Sequence, residues 1–597
     1  MTTRREFFQI AAAACASRAA GAEPAARLTT FDYSQVELLD SPLRRQLDTN
    51  HAFFLALSED RMLKIYRQRV GLPAPGPDMG GWYDDFCPGA HFGQYMSALA
   101  RFARITNSAP TRAKVQRLVR GFSQTLDPTG KFFVDHRYPG YTYDKLVLGL
   151  LDAHYCAGDP TALDVLAKMT RVALPHMADH ALTPEEAHQR PHKDETYTWD
   201  ETYTFAENLF LAYERTGDRK YYDLGRRYLL DRGFFDPLAA GQNVLPGLHA
   251  YSHVNALSSG IQAYLKLGDA KYLRAVTNAT EMILSGQSYA TGGWGPNEAF
   301  VEPGKGEMGA SLLSSHRHFE TGCGSYAHFK LMRYLLALTR DARYADSMER
   351  VLYNCALGIL PIEQDGSTFY YSDYHPGAQK SYIRIIPDAA YRWDLEDKWP
   401  CCSGTFPQLA ADYGISSYLR APDGVYVNLY VPSRLKWNQG SILQKTNYPS
   451  GSEVTLTFES APRGEFTVYV RIPEWAGKGV TIAVNGRPVI WELPGFFPLR
   501  RQWKTGDRIE LEISPKVRYE PVDAQTPNQV AILRGPQVMF ALSDTQPKLT
   551  RAELNSIQIG RAAGEDLTAR LESGNIRLKP FGSITGETYQ TYWQVAT

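Results

Sequence analysis

The chain has 597 residues, of which 44% are hydrophobic and 21% charged, and its formal net charge is zero. A chain of this length predicts a large core and more than one domain. The balanced charge argues against a nucleic-acid-binding protein and against a polybasic membrane-surface protein, since both depend on excess positive charge.

The N-terminus has the features of an export signal. Arg4 and Arg5 precede an apolar stretch over 7–16, and small residues at 20–22 fit a cleavage site. The Arg-Arg-x-Phe-Phe pattern resembles a twin-arginine signal, which directs folded proteins across the bacterial membrane. We therefore expect 1–22 to be removed and the mature chain to be periplasmic or secreted. No later apolar run approaches the roughly 20 residues that a transmembrane helix needs.

The next part of the chain is predicted to be helical. Apolar residues recur at helical spacing in HFGQYMSALARFARIT, TFAENLFLAYERTG and YAHFKLMRYLLALTRD. The stretches GDRKYYDLGRRYL, GDAKYLRAVTNA and RDARYADSMERVL are near-copies of one turn-plus-helix unit. Such repetition is typical of stacked helix pairs. Six pairs would close into an (α/α)6 barrel, which we predict for residues 30–420.

Beyond the helical part the apolar spacing changes to every second residue. EVTLTFES, EFTVYVRIPEW and DRIELEISPKVRYE alternate in this way and are separated by glycine, proline and Asn-Gly turns. We predict an antiparallel β-sandwich over 423–535 and a further β extension over 536–597. The predicted fold class is thus an (α/α)6 barrel followed by an antiparallel β-sandwich.

Three stretches of the helical part concentrate reactive residues. GGWGPNEAF contains Glu298, HRHFETGCGSYAHFKL contains Glu320 and Cys323, and KWPCCSGTFPQ contains Cys401 and Cys402. One carboxylate and three sulfurs are enough for a tetrahedral zinc site, although no finger-type Cys-x-x-Cys spacing is present. Two alternatives remain open for the cysteine pair, which are a pair of small core residues and a vicinal disulfide. The alternative for Glu298 is an exposed loop carboxylate.

These motifs resemble those of the β-L-arabinofuranosidases of glycoside hydrolase family 127, best over 294–432. That family has, in this order, a Gly-x-Glu-x-Phe loop, a Glu-x-Cys segment and a Cys-Cys pair. The resemblance implies an (α/α)6 barrel with β-sandwich domains and a bound Zn²⁺. It also implies roles for individual residues: Cys401 as nucleophile and zinc ligand, Glu298 as general acid/base, Glu320, Cys323 and Cys402 as the other zinc ligands, and His253 as a substrate contact.

The sequence departs from the family pattern in two places. The segment Glu320-Thr-Gly-Cys323 is one residue longer than Glu-x-Cys, and a glycine at the extra position would let the backbone bulge and keep both ligands. Asp144, in YTYDK, stands where relatives commonly have a histidine near the sugar, which predicts a different group in the substrate subsite. The stretch HKDETYTWDETY adds His192 and several carboxylates, including Glu201, as candidates for the barrel mouth.

The sequence therefore predicts an exported, zinc-dependent, retaining glycoside hydrolase that acts on side chains of an oligosaccharide or polysaccharide, with β-L-arabinofuranosides as the candidate substrate. Two other hypotheses stay open. One is a metal-independent unsaturated-uronide hydrolase or polysaccharide lyase on the same barrel. The other is a non-catalytic glycan-binding protein with a structural thiol site.

Overall fold

Helices dominate the chain up to residue 417. The computed structural model describes residues 27–187, 200–382, 398–561 and 567–596, so the predicted export signal and His192 lie outside the described residues. In chain order the α-helices are α1 (Pro42–Ala56), α2 (Glu59–Val70), α3 (Phe92–Thr106), α4 (Ala109–Gln124), α5 (Pro139–Tyr155), α6 (Ala162–Ala173), α7 (Pro184–Ala187), α8 (Phe205–Thr216), α9 (Arg219–Arg227), α10 (Asp236–Ala239), α11 (Ala250–Leu267), α12 (Ala270–Gly286), α13 (Glu307–Ser314), α14 (Thr321–Thr339), α15 (Ala342–Asn354), α16 (Cys401–Ser417) and α17 (Arg551–Ser556).

Six of these helices form a closed inner ring. Helices α3, α5, α8, α11, α14 and α16 each contact the next, and α16 contacts α3. A second helix backs each member on the outside, namely α4, α6, α9, α12, α15 and α1 in the same order. This arrangement is the predicted (α/α)6 barrel. Every residue of α16 is buried, as expected for a helix enclosed on all sides. No helix in the described ranges is long and apolar enough to cross a membrane.

The repeated turn-plus-helix unit has a local cause. Asp218, Asp269 and Asp341 cap the outer helices α9, α12 and α15, and each side chain accepts a backbone N–H at 2.8 to 3.0 Å. The preceding inner helices α8 and α11 end at Gly217 and Gly268, whose φ angles of 70° and 75° are left-handed. The Gly-Asp pair therefore ends an inner helix and starts its outer partner.

The strands carry the C-terminal part of the chain. They are β1 (Thr29–Thr30), β2 (Val36–Leu38), β3 (Phe319–Glu320), β4 (Tyr371–Ser372), β5 (Tyr418–Ala421), β6 (Gly424–Val427), β7 (Ser433–Trp437), β8 (Gly440–Thr446), β9 (Glu453–Ser460), β10 (Glu465–Ile472), β11 (Val480–Val484), β12 (Arg487–Val489), β13 (Gly495–Gln502), β14 (Arg508–Ile513), β15 (Val517–Pro521), β16 (Gln529–Arg534), β17 (Gln537–Val538), β18 (Phe540–Ala541), β19 (Lys548–Leu549), β20 (Gln558–Arg561), β21 (Leu567–Leu571), β22 (Gly574–Lys579) and β23 (Trp593–Val595).

Two larger sheets form the predicted β-sandwich. Their strand orders are β1-β5-β6-β10-β13 and β12-β11-β14-β9-β8-β7-β2, antiparallel throughout except for the parallel pair β6–β10. The N-terminal strands β1 and β2 were not predicted, and each adds an edge to one of these sheets. Strands β15, β16, β19 and β23 form one smaller sheet, on which β17 pairs with β16, and β18, β22, β21 and β20 form another. The predicted bounds 423–535 and 536–597 remain predictions.

A buried arginine joins the barrel to the sandwich. Arg471 on β10 is fully buried and pairs with Glu349 of α15 at 2.5 Å and with Asp346 on the same helix. Its Nε also donates to the backbone carbonyl of Asn428 at 2.6 Å. Because a buried guanidinium is costly without partners, this network fixes how the sandwich sits on α15.

Close packing between inner helices gives a test of the ring. A Cβ atom at Gly93 on α3 would lie 2.1 Å from the carbonyl oxygen of Lys145 on α5, inside any permitted contact. We expect Gly93→Ala to lower the free energy of unfolding by about 1–3 kcal/mol, because the backbones must separate. Gly233→Ala is the matched control, since no atom of the described residues lies within 4 Å of its Cβ position. Thermal unfolding by circular dichroism measures both, and equal melting temperatures would contradict the close approach of α3 and α5.

Candidate active site

Two neighbouring inner helices begin at the same place in the barrel. Glu320 lies immediately before α14, Cys323 is in its first turn, and Cys401 and Cys402 are the first two residues of α16. The ligand atoms of these four residues all lie within 4.8 Å of one another, and all four residues are buried. We call them the thiol–carboxylate group. The sequence predicted this set, and the fold brings all four members together.

The contacts inside the group are direct. The Cys401 thiol donates to Glu320 Oε1 at 3.1 Å, and Cys402 Sγ lies 3.4 Å from Cys323 Sγ. The distance between Cys402 Sγ and Cys323 Sγ is far longer than a disulfide bond of about 2 Å, so these two sulfurs are not bonded to each other. All six cysteines of the described ranges are free, so the alternative of a vicinal disulfide is not what the structure contains.

The glycine that lengthens the Glu–Cys segment makes room for the cysteine pair. Gly322 lies inside the first turn of α14 rather than in a bulge, so the expected bulge is wrong. A Cβ atom at this position would lie 2.9 Å from Cys402 Cβ and 3.1 Å from Cys402 Sγ. The extra residue therefore keeps Glu320 and Cys323 beside the pair, because glycine alone leaves space for the Cys402 side chain.

Without a cation, removing the protons of the thiol–carboxylate group costs free energy. Burial raises the pKa of Cys401 and Cys323 well above the ordinary thiol value, and burial with the nearby Cys401 and Glu298 charges raises the pKa of Glu320. Burial also works to raise the pKa of Cys402, but hydrogen bonds with Cys323 and Cys401 outweigh it and lower that pKa to about 7. The positive ends of α14 and α16 offset only part of this cost.

The donor set fits a bound metal ion. Three sulfurs and one carboxylate oxygen match the number and softness of ligands in a closed tetrahedral site. Glu320 Oε2 is buried and accepts no hydrogen bond from any residue in the described ranges. Thr405 donates to Cys323 Sγ at 3.2 Å, and the Tyr370 hydroxyl lies 3.3 Å from Cys401 Sγ, so outer contacts orient two of the sulfurs.

Glu298 lies next to this group rather than on the surface. Its side chain is buried and its carboxylate lies within 4.8 Å of Glu320 and His249 ligand atoms. Glu298 and Asn297 both have left-handed backbone, with φ of 62° and 56°, which is uncommon for residues other than glycine. The Tyr371 hydroxyl donates to Glu298 Oε1. The alternative of an exposed loop carboxylate is therefore wrong.

A histidine that the sequence analysis did not select connects the carboxylates. His249 Nδ1 lies 3.3 Å from Glu201, and its Nε2 lies 3.6 Å from Glu298 and 3.8 Å from Glu320. Burial alone would lower the pKa of His249, but Glu201 and Glu298 raise it well above its ordinary value. Burial by itself would raise the pKa of Glu298. The contact with His249 outweighs the effect of burial, so the pKa of Glu298 is lowered.

Of the three residues predicted to contact the substrate, the two that the structure describes have different surroundings. His253 is one helical turn after His249, stacks on Tyr203 with ring centroids 4.5 Å apart, and donates from Nδ1 to the His249 carbonyl at 2.8 Å. Asp144 is buried between Lys145 at 3.0 Å and the Asn208 amide at 2.7 Å. Their roles as substrate contacts stay predictions. His192 lies outside the described residues.

Three further residues of the centre were missed by the sequence analysis as site residues. They are His249, Tyr370 and Tyr371, and Glu201 was named only as a possible residue of the barrel mouth. The available signal was weak: LHAYSH places two histidines four residues apart at the start of a predicted helix, and FYYSD carries two adjacent tyrosines. Strand pairing of Glu320 with Tyr371 brings the tyrosines to the centre.

Comparison with known proteins identifies the family. Residues 35–414 match the model described as "Beta-L-arabinofuranosidase, GH127 catalytic domain", and residues 424–514 match the GH127 middle domain. The chain belongs to the GH127 family of glycoside hydrolases. A non-reducing end β-L-arabinofuranosidase of Bifidobacterium longum subsp. longum is 25% identical over 381 residues, which are 56% of this chain and 56% of the relative. The match thus spans little more than half of that curated relative's length.

Two solved GH127 structures share the fold along almost the whole chain. A GH127 β-L-arabinofuranosidase from Geobacillus stearothermophilus T6 superposes with a TM-score of 0.70 at 20% identity, covering 94% of this chain and all of that one. A GH127 β-arabinofuranosidase superposes with a TM-score of 0.73 at 18% identity, covering 96% of this chain and 99% of that one. These likenesses confirm the predicted fold class of the GH127 chain.

The space left by Gly322 gives a test of the metal site in this GH127 protein. We expect Gly322→Ala to reduce the bound metal from about one ion per chain, because the new methyl group pushes Cys402 away from Cys323. Elemental analysis of protein purified without chelator measures the content. Gly233→Ala, on the surface, should leave it unchanged. Full metal content in Gly322→Ala would show that the space at Gly322 is not what keeps Cys402 among the metal ligands.

Proposed function

We propose that the chain is an exported, zinc-dependent, retaining glycoside hydrolase that releases terminal β-L-arabinofuranosyl residues from oligosaccharides or polysaccharides. One observation carries the proposal: the thiol–carboxylate group and Glu298 lie together at the N-termini of two inner helices. Three thiolates and a carboxylate favour Zn²⁺ over hard cations such as Mg²⁺ or Ca²⁺. The sugar follows from the names of the relatives in Bifidobacterium and Geobacillus.

In this mechanism Cys401 is the nucleophile. Bound zinc would hold the Cys401 sulfur as a thiolate at neutral pH, which burial alone opposes. The sulfur attacks the anomeric carbon, the C1–O bond to the leaving group breaks, and Glu298 gives its proton to the departing oxygen. Glu298 then takes a proton from water, the water oxygen bonds to C1, and the C1–S bond breaks. Two inversions at C1 leave the product with the configuration of the substrate.

The contacts of Glu298 indicate where its proton is held between turnovers. In this mechanism the shared proton rests on His249 when the site is free of substrate, in keeping with the raised pKa of His249 and the lowered pKa of Glu298. His249 Nε2 lies 3.6 Å from Glu298 Oε2, so the proton needs to move only between these two groups. Tyr371 fixes the other carboxylate oxygen, which leaves Oε2 as the proton-carrying atom.

Export in the folded state accords with the chemistry of the cysteines. The six free thiols of the described residues are all buried, and three of them belong to the thiol–carboxylate group. An oxidising compartment favours disulfides between thiols that meet there unfolded. A twin-arginine signal at 1–22 would let the chain fold and take up metal in the cytoplasm first, and we therefore propose a periplasmic or secreted location.

The first test concerns Cys401. We expect Cys401→Ser to abolish turnover of a p-nitrophenyl β-L-arabinofuranoside, because a buried serine hydroxyl is not a thiolate. In the unmodified enzyme, proton NMR of the first-formed sugar should show the β-anomer. Cys355→Ser, at a buried free cysteine outside the group, should keep the activity. An inverted product would leave Cys401 as a metal ligand only, and full activity after complete metal removal would exclude the zinc-dependent mechanism.

The second test concerns Glu298. We expect Glu298→Gln to slow hydrolysis of substrates with poor leaving groups by about 10²- to 10⁴-fold, because the departing oxygen is no longer protonated. The first step with a p-nitrophenyl leaving group should be nearly spared, and the metal content should be unchanged. Glu302→Gln, an exposed carboxylate of the same loop, is the control. An equal loss on both kinds of substrate would assign Glu298 a role other than proton transfer.

A further inference from the structure

A second cleft lies away from the thiol–carboxylate group. It encloses about 590 Å³ where the start of α1, the end of α15, the β8–β9 turn and the C-terminal sheets meet. None of the residues that line it belongs to the thiol–carboxylate group or contacts it through a described hydrogen bond. Its volume falls within the range of small-molecule sites in proteins, roughly 300–1,000 Å³.

The lining is neutral and rich in amides and hydroxyls. Among the described residues, Asp40 and Arg45 are the only charged ones that line it, and they pair with each other at 3.1 Å on the exposed rim. The uncharged polar residues of the lining are Ser41, Gln46, Thr49, Asn50, Thr446, Asn447, Ser450, Gln537 and Ser583. A site of this composition suits an uncharged ligand with many hydroxyl groups and gives no counter-charge to an anion or a cation.

Two buried amides in the lining have unused hydrogen-bonding capacity. Gln537 is 8% exposed, and its side-chain amide makes no hydrogen bond with any residue in the described ranges. Asn50 is 4% exposed and donates only to the Gln46 carbonyl at 2.8 Å, which leaves its Oδ1 for another donor. Neither amide is among the fully enclosed polar atoms without a partner, so their free atoms reach the open space of the cleft, where a ligand hydroxyl can replace water.

A neighbouring amide shows the contrast. Gln46 lines the same cleft, but its Nε2 donates to the Ala356 carbonyl at 3.0 Å and its Oε1 accepts from the Tyr413 hydroxyl at 2.7 Å. Both ends of the Gln46 amide are thus hydrogen-bonded within the protein, without a ligand. Gln537 comes from a distant part of the chain, on β17 of a C-terminal sheet. Its side chain has no such partners among the described residues.

Aromatic rings complete the cleft. Tyr353 and Tyr448 line it with their rings 6.0 Å apart, and their hydroxyls are already bonded to the Tyr430 carbonyl and to Glu349. Phe406, on α16, adds a third aromatic side chain to the lining. These rings are 2 to 6% exposed, so they form a rigid apolar wall of the cleft rather than an open stacking face, and the polar contacts of a ligand would come from the amides and hydroxyls.

From this geometry we propose that the cleft binds a neutral oligosaccharide as a second carbohydrate site, separate from the centre that cleaves. The occupant would be a stretch of the polymer away from the bond that is hydrolysed, and it would raise the local concentration of chain ends at the catalytic centre. The site is independent of which sugar the enzyme releases, because none of its lining residues takes part in the proposed chemistry.

The test uses full-length Cys401→Ser protein, in which no turnover occurs. Short arabino- and galacto-oligosaccharides are added, and hydrogen–deuterium exchange is followed by mass spectrometry. We expect a neutral oligosaccharide to slow exchange in 42–50, 446–450 and 580–583, and oligogalacturonate to have no effect there. Absence of protection in all three segments with every neutral oligosaccharide would overturn the proposal.

A paired substitution separates ligand binding from structure. In the same background, Gln537→Leu should weaken oligosaccharide binding by about threefold to tenfold, the range expected for one lost hydrogen bond, without lowering the melting temperature. Gln502→Leu makes the same change on the sandwich surface and should do neither. Asn447→Ala, at an exposed lining position, is the second variant and should also weaken binding. Unchanged affinity in both cleft variants, or a lower melting temperature for Gln537→Leu, would assign these amides to structure instead.

Discussion

The site depends on one electrostatic constraint: four acidic groups share a buried volume in which they cannot all lose their protons without a cation. Glu320, Cys323, Cys401 and Cys402 lie within 4.8 Å of one another, and burial raises the pKa of three of them. A divalent ion that replaces the protons turns this repulsion into attraction. The same ion would convert a poorly ionised buried thiol into the nucleophile of the proposed reaction.

The barrel holds that group in place through its closure. Helices α14 and α16 are neighbours in the inner ring and pack directly on each other, which brings their first turns together. Helix α16 runs directly into β5, and β1 and β2 at the other end of the chain pair with β5 and β7. Arg471 ties β10 to α15, which backs α14. The sandwich thus supports the ligand-bearing helices from outside the ring.

The candidate metal ligands and the candidate proton-transfer residues meet at Glu320 through different oxygens. Cys401 and Cys402 contact Oε1, His249 lies 3.8 Å from Oε2, and the adjacent Tyr370 and Tyr371 contact Cys401 and Glu298 respectively. A backbone change at this tyrosine pair would therefore disturb the surroundings of Cys401 and Glu298 together. In the proposed mechanism these are the nucleophile and the acid/base.

The sequence by itself determined the fold class and named the residues of the candidate metal group, because both leave a signal in short stretches of the chain. Apolar spacing and the Gly-Asp pairs specify the helix pairs, and the residue types at Glu298, Glu320, Cys323 and the cysteine pair specify the chemistry. Only the tertiary structure determined which residues contact one another at the site and which strands pair. His249 meets carboxylates 48 to 71 residues away along the chain, β1 and β2 have only two and three residues, and the second cleft is lined by residues from seven separate stretches of the chain. Contacts of that range leave no periodic signal, since they are set by how the elements pack and not by neighbouring residues.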